Sequence, residues 1–179
     1  DKSPNFCRIK LKLDKIKNPQ IGNSIALNGI CLTVADYKDN IFTFEVMGET
    51  LKKADIANWK IGDLVNIEQP LRAGDEFGGH FVLGHVDGIG KITQIIQYEE
   101  NAEIDIEIPV DLRPFIVRKG SVAVDGISLT VAEVLKDGFR VALIPLTLQK
   151  TTLGRKEKGS SVNIEADYLL KAALKNKYE

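Results

Sequence analysis

Two histidines, two cysteines, one methionine and one tryptophan are all that this 179-residue chain holds of those types. Cysteine at positions 7 and 31 alone, with no framework spacing, excludes a disulfide-stapled scaffold. Reduced thiols of a cytosolic protein are the expectation. There is no basic excess: 24 Lys and Arg face 25 Asp and Glu, for a formal net charge of -1. Nothing in that balance recruits nucleic acid. No apolar run approaches the ~18 residues of a membrane span, and no signal-peptide pattern opens the printed sequence. The glycine-rich stretch from Gln69 to Gly90 lacks G-x-G-x-x-G spacing, so it supports no dinucleotide loop. The expectation is a cytoplasmic protein with no nucleic-acid and no membrane partner.

What is present is a repeat. Shifted by 97 positions, residues 24–68 overlay 121–165 without a gap, with about 17 of 45 positions identical. Ser24-Ile25-Ala26-Leu27-Asn28-Gly29-Ile30-Cys31-Leu32-Thr33-Val34 matches Ser121-Val122-Ala123-Val124-Asp125-Gly126-Ile127-Ser128-Leu129-Thr130-Val131. Val65-Asn66-Ile67-Glu68 matches Val162-Asn163-Ile164-Glu165. The chain is therefore two like domains of about ninety residues each. Expected boundaries are 1–80, 81–165, and a tail over 166–179.

Asn28-Gly29 and Asp125-Gly126, each between alternating segments, are strong hairpin signals because both turn residues need positive φ. Further strands are expected over Cys7–Leu13, Ile41–Val46, Leu64–Ile67, Val86–Tyr98, Glu103–Ile108, Phe139–Leu143 and Ser161–Ile164. Short strands closed by Gly, Asn and Asp argue for small antiparallel barrels or sandwiches. Helical turns are expected in Leu51–Asn58 and Leu112–Val117. Residues 69–90 read as a flexible crossing. The tail, with Tyr168, Leu169, Ala172 and Ala173 at helical spacing, reads as an amphipathic helix, for subunit association or for packing on its own domain. Strand Val86–Tyr98 has no counterpart in the first copy, so the expectation is that about a dozen or more residues precede Asp1 in the native protein.

The chemistry is sought where the copies differ. On the strand after each turn, Ile30, Leu32 and Val34 share one face and Cys31 and Thr33 the other; Ser128 and Thr130 repeat the second face. Small polar residues on an outer strand face need no function. Yet Cys31 against Ser128 is nearly isosteric and chemically unequal, a thiol against a weaker nucleophile. Both histidines, His80 and His85, fall in one short segment with Asp87, and imidazole suits proton transfer near neutral pH. A metal held by His80, His85 and Asp87 matches no standard ligand spacing. Glu45–Thr50 overlays Ala142–Thr147 with Thr kept and its surroundings changed, as two similar pockets treating similar ligands differently would be.

Asn28-Gly29-Ile30-Cys31-Leu32-Thr33-Val34, then Gly78-Gly79-His80 with Gly84-His85-Val86-Asp87, then Lys119-Gly120 with Asp125-Gly126-Ile127-Ser128-Leu129-Thr130-Val131 resemble the three motifs of riboflavin synthase of the trimeric two-barrel type. The resemblance runs along essentially the whole chain. One departure is the absence of that family's Met-Phe-Thr-Gly-like opening segment. The resemblance implies an all-β fold of two tandem homologous six-stranded antiparallel Greek-key barrels plus a C-terminal α-helix. It implies a homotrimer, with lumazine synthase a further candidate partner, and an active site between barrels of neighbouring subunits. The implied reaction is dismutation of two 6,7-dimethyl-8-ribityllumazine molecules. One gives a four-carbon unit to the other, yielding riboflavin and 5-amino-6-ribitylaminouracil, with no cofactor and no metal. A non-catalytic lumazine- or flavin-binding relative is the rival reading.

By the same resemblance, the first pocket would include Ser24, Cys31, Leu32, Thr33, Glu45, Val46, Met47, Gly48, Glu49 and Thr50, with Gly84, His85 and Val86 reaching it from the linker. The second would include Lys119, Ser128, Leu129, Thr130, Leu143, Ile144, Pro145, Leu146, Thr147 and Leu148. The lumazine 7-methyl group is acidic and needs a base. His85 is the first candidate, with Ser128 and Thr130 supporting, and Asp167 and Glu165 as lesser proton shuttles. Cys31 either adds to, or positions a nucleophile at, the acceptor's C7, or it serves binding.

Overall fold

The computed structural model describes residues 2–3, 5–14 and 16–178. Asp1 and Glu179, the ends of the first and last expected segments, lie outside the described residues. The first copy comprises β1 (Lys2–Ser3), β2 (Phe6–Lys12), β3 (Ser24–Leu27), β4 (Ile30–Lys38), β5 (Ile41–Met47), α1 (Gly48–Lys53) and β6 (Ile67–Glu68). The second comprises β7 (Gly88–Gln97), β8 (Ala102–Glu107), β9 (Ser121–Val124), β10 (Ile127–Val134), β11 (Gly138–Leu143), α2 (Pro145–Lys150) and β12 (Ser161–Ala166). Helix α3 (Tyr168–Tyr178) follows.

Six antiparallel strands make each copy. The second closes into a barrel in the order β10-β11-β8-β7-β12-β9, and the first forms a sheet in the order β1-β2-β5-β4-β3-β6. The difference lies at the two ends of the sheet, one of them β6, which runs 2 residues against 6 in β12. β7 runs 10 residues and joins β8 to β12, whereas β1, beside β2, runs 2. Bulges recur at repeat-related places, between Val34 and Asp36 and between Val131 and Glu133. They bend β4 and β10 in the same way.

Alternation sorts each copy's side chains. Ile30, Leu32 and Val34 enter a core with Phe42, Phe44 and Val46, while Cys31 and Thr33 face out. Val124, Val131, Phe139, Val141 and Ile164 build the matching core of the barrel. Each fully buried Leu, Ile or Phe contributes about 1.5–3 kcal/mol.

Some elements depart from expectation. The strand expected at Leu64–Ile67 is reduced to Ile67–Glu68. Leu51–Asn58 divides into α1, which starts at Gly48, and a 3₁₀ turn over Asp55–Asn58. Leu112–Val117 is a 3₁₀ turn over Val110–Phe115, the form taken by a short segment interrupted by Pro114. Helix α2 had no sequence expectation of its own. It is the repeat image of α1, and Pro145 at its first turn, without an N–H to satisfy, favours the start of a helix.

The copies meet turn to turn. Asn28, Gly29, Asp125 and Gly126 all have positive φ, as the hairpins require. The contact is a set of paired hydrogen bonds. Asn66 N–H donates to Asn28 Oδ1 (2.7 Å) as Asn163 N–H donates to Asp125 Oδ1 (2.7 Å). Asn66 Nδ2 donates to the Asp125 carbonyl (3.0 Å) as Asn163 Nδ2 donates to the Asn28 carbonyl (2.9 Å). Asn66 Oδ1 accepts from Thr152 N–H (2.8 Å) and Asn163 Oδ1 from Asp55 N–H (2.7 Å). Buried polar groups satisfied in this way fix one relative orientation of the copies. The pattern breaks at Asp125, where burial pushes the carboxyl pKa up and Lys156 Nζ stands 3.2 Å away.

Candidate active site

The linker between the copies follows a set course over the two strands that carry Cys31 and Ser128. Gly79, with φ +87°, lies against Ser128, and a Cβ there would fall 2.5 Å from Ser128 Oγ. Gly84, with φ +76°, lies against Cys31, and a Cβ there would fall 2.6 Å from Cys31 Cβ. Glycine is required at both because chain approaches strand too closely for a side chain. The repeat-related positions 31 and 128 are thus each covered by a linker glycine, and each glycine is followed by a histidine.

At the first station, Cys31 N–H donates to the Gly84 carbonyl (2.9 Å). Cys31 is exposed, whereas Cys7 is buried. Cys31, Glu49, Thr50, Gly84, His85 and Val86 line a pocket of about 230 Å³ together with Ile30, Lys53 and Ala54. Six of the expected first-pocket residues therefore lie together. Thr33 is exposed and sits opposite Ser24 in the β3–β4 ladder. Glu45 is engaged by Arg8 at 2.7 Å. Leu32 and Val46 lie in the core, so they reach the surface only through main chain.

At the second station, His80 Nδ1 is 2.7 Å from Ser128 Oγ, which also accepts the His80 N–H at 3.3 Å. Nε2 of His80 is buried without a hydrogen-bond partner among the described residues. Burial pushes the His80 pKa down, against the opposing charges of Asp167 and Glu165. Burial thus favours the neutral imidazole over the imidazolium. Ser128 is paired with His80, not with His85, which sits exposed in the first pocket. Thr130 is exposed opposite Ser121, Leu129 is half-buried against the barrel core, and Lys119 is an exposed residue with φ +64°. Leu143 is a core residue; Ile144 and Leu146 are each 60% exposed, with Pro145, Thr147 and Leu148 half-buried in α2. Met47, the repeat image of Ile144, is 64% exposed, so each copy presents a bare apolar side chain at the mouth of its short helix.

Three acidic groups serve the scaffold. Glu165 accepts the Leu83 and Gly84 N–H groups at 2.8 and 2.9 Å. Asp87 accepts the Ala166 N–H and pairs with Lys171 of α3, both at 2.8 Å. Asp167 accepts the Leu169 N–H (2.9 Å) at the start of α3. His80, His85 and Asp87 thus serve three different places. Among the described residues no group of three or more His, Cys, Asp or Glu side chains converges on one point.

Two features escaped sequence reasoning. His80 was recognised as a histidine but not as the partner of Ser128, and Glu165 not as a hold on the linker. Both depend on contacts between segments distant in sequence, 48 residues apart for His80 and Ser128.

The lumazine binding domain family matches residues 2–70 and 83–167. The riboflavin synthase of Bacillus subtilis (strain 168) is 41% identical over 169 residues, spanning 94% of this chain and 79% of that protein. That of Escherichia coli (strain K12) is 40% identical over 170 residues, spanning 93% and 80%. The chain belongs to the riboflavin synthase family. The same family name is carried by the Actinobacillus pleuropneumoniae protein, 40% identical over 167 residues, 93% of this chain and 78% of that one. Among solved structures, LumP complexed with riboflavin superposes with a TM-score of 0.86 at 24% identity, over 93% of this chain and 91% of that one. LumP complexed with 6,7-dimethyl-8-(1'-D-ribityl) lumazine gives 0.84 at 23% identity, over 92% and 90%. At that identity the likeness is one of fold. Riboflavin synthases are transferases, and the chain is an enzyme of that class. No helix among the described residues is long and apolar enough to cross a membrane.

Proposed function

We propose that the protein dismutates two molecules of 6,7-dimethyl-8-ribityllumazine into riboflavin and 5-amino-6-ribitylaminouracil. One molecule sits at each station, and a four-carbon unit passes from one to the other. The observation that carries this reading is the pair of unequal stations at positions 31 and 128. Each is a small polar side chain on the outer face of its sheet, closed by a linker glycine, with a histidine next in sequence and a bare apolar residue, Met47 or Ile144, in the same repeat position. Identical substrates need like seats. An exchange between them needs the seats to differ, as thiol differs from hydroxyl.

The neutral imidazole of His80, joined to Ser128 Oγ, and the exposed imidazole of His85 are the two groups suited to move the proton of the lumazine 7-methyl group. Cys31, exposed beside His85, is suited to add at C7 or to orient a nucleophile there. Holding both rings in register supplies the orientation that a bimolecular step lacks.

The first pocket, at about 230 Å³, is smaller than the 300–1,000 Å³ of usual ligand sites. The family resemblance implies a homotrimer, in which a neighbouring subunit's second station would complete this pocket, acting in the cytoplasm with lumazine synthase as a candidate partner. Tyr168 and Leu169, exposed on α3 while Lys171 ties that helix to Asp87, are available for such association. Boundaries at 1–80, 81–165 and 166–179 divide the chain inside the linker, whose two histidines cross over: His80 lies on the second station and His85 on the first.

A fluorescence titration with 6,7-dimethyl-8-ribityllumazine tests the two-seat reading. Two equivalents bound per chain are expected, with Cys31→Ser and Ser128→Ala each weakening a different one. A single equivalent, or none, contradicts it.

A further inference from the structure

We infer that Glu165 is the positioning residue that sets His85 and Gly84 against Cys31, acting through the linker backbone and not as a proton carrier. The inference rests on the riboflavin-forming reading and assigns that site its anchor. The Glu165 side chain is 3% exposed. Its two oxygens are used separately: Oε1 accepts the Leu83 N–H at 2.8 Å and Oε2 the Gly84 N–H at 2.9 Å. Hydrogen bonds from backbone N–H groups to a carboxylate are about twice as strong as neutral ones. With each oxygen engaged by one linker N–H, the side chain is placed as an anchor.

The anchor itself is rigid. Glu165 sits in β12 opposite Ala123 of β9, between the pairs Ile164 with Val124 and Ala166 with Val122. Residues 162 to 166 are all buried. From this base the connection runs outward: Glu165 holds the Gly84 N–H, the Gly84 carbonyl receives the Cys31 N–H (2.9 Å), and His85 follows at once. One carboxylate of the second barrel thereby fixes a histidine and a cysteine of the first station. The repeat gives an internal contrast. Glu68, at the same repeat position, is exposed, and among the described residues it holds no such pair of N–H groups. Misplacement of a reacting group by about 1 Å costs on the order of 100-fold in rate.

Glu165→Gln keeps the size of the side chain and presents an NH₂ to one of the two donors. The expected result is a fall in kcat of about 10- to 100-fold with KM for 6,7-dimethyl-8-ribityllumazine within about threefold. The Gly84 amide is expected to exchange with deuterium at least about tenfold faster while the β9–β12 amides keep their protection. Glu165→Asp keeps the charge and shortens the reach, so positioning predicts a loss there too, and it serves in place of Glu165→Gln should that variant not fold. Three results overturn the inference: turnover within twofold of the parent in either variant, unchanged exchange at Gly84, or loss of turnover matched by loss of β9–β12 protection. A parent protein that forms no riboflavin overturns the function instead, and the exchange at Gly84 still decides the clamp.

Discussion

Gly29 and Gly126 touch across the contact between the two copies. A Cβ on Gly29 would lie 2.5 Å from Gly126 N, and a Cβ on Gly126 would lie 2.8 Å from Gly29 Cα. The obstructing atoms are backbone, which cannot rotate away. Both residues also have positive φ, +74° and +81°. Glycine is therefore required twice over, once by the hairpin and once by the neighbouring hairpin.

Gly126→Ala is expected to destabilise the protein by about 2–4 kcal/mol, from left-handed strain plus displaced backbone. Urea unfolding followed by tryptophan fluorescence reads this through Trp59, which packs on the first core. A loss below about 1 kcal/mol would show that the turns do not bear on one another.

His80 gives the fold a pH dependence of known sign. Its folded-state pKa lies below the ordinary value of 6.5, chiefly because it is buried. Between those two values the unfolded chain binds more protons than the folded one, so stability rises with pH across the window. The contribution is complete above the ordinary value and is lost as pH falls through it toward the folded value. Unfolding free energies measured at several points between pH 7.5 and 5 should fall more steeply for the parent than for His80→Asn. Parallel curves would contradict the burial of His80 against Ser128.

The two thiols should part company in a labelling experiment. Cys31 is exposed in the first pocket and Cys7 is buried at 6% exposure. Iodoacetamide, followed by peptide mass analysis, is expected to modify Cys31 at least about tenfold faster. Saturating 6,7-dimethyl-8-ribityllumazine should slow that reaction and leave Cys7 unaffected. Equal rates, or no protection, would remove Cys31 from the pocket.

Much of this architecture was legible because the repeat reports on itself. Asn-Gly and Asp-Gly, with strict alternation after them, dictated both hairpins and the inward faces of β4 and β10. The polar stations followed from the residues left facing out. Other features depend on contacts between segments distant in sequence. Nothing local to Gly79-His80 says that it lies on Ser128, 48 residues away. Nothing local to Glu165 says that it caps a turn of chain about 80 residues earlier. Helix α2, Pro145–Lys150, is the image of α1 at the repeat shift, a segment too short for apolar spacing to mark as a helix. Leu32, Val46 and Leu143 fell within motif-bounded stretches, yet alternation points them into the cores.

Product balance tests the central claim most directly. The protein is incubated with 6,7-dimethyl-8-ribityllumazine, and chromatography quantifies substrate, riboflavin and 5-amino-6-ribitylaminouracil over time. The two-seat account predicts that both products appear together in equal amounts, each at half the substrate consumed. Lumazine bound tightly and recovered unchanged, or riboflavin formed without an equal amount of the pyrimidine, would contradict it.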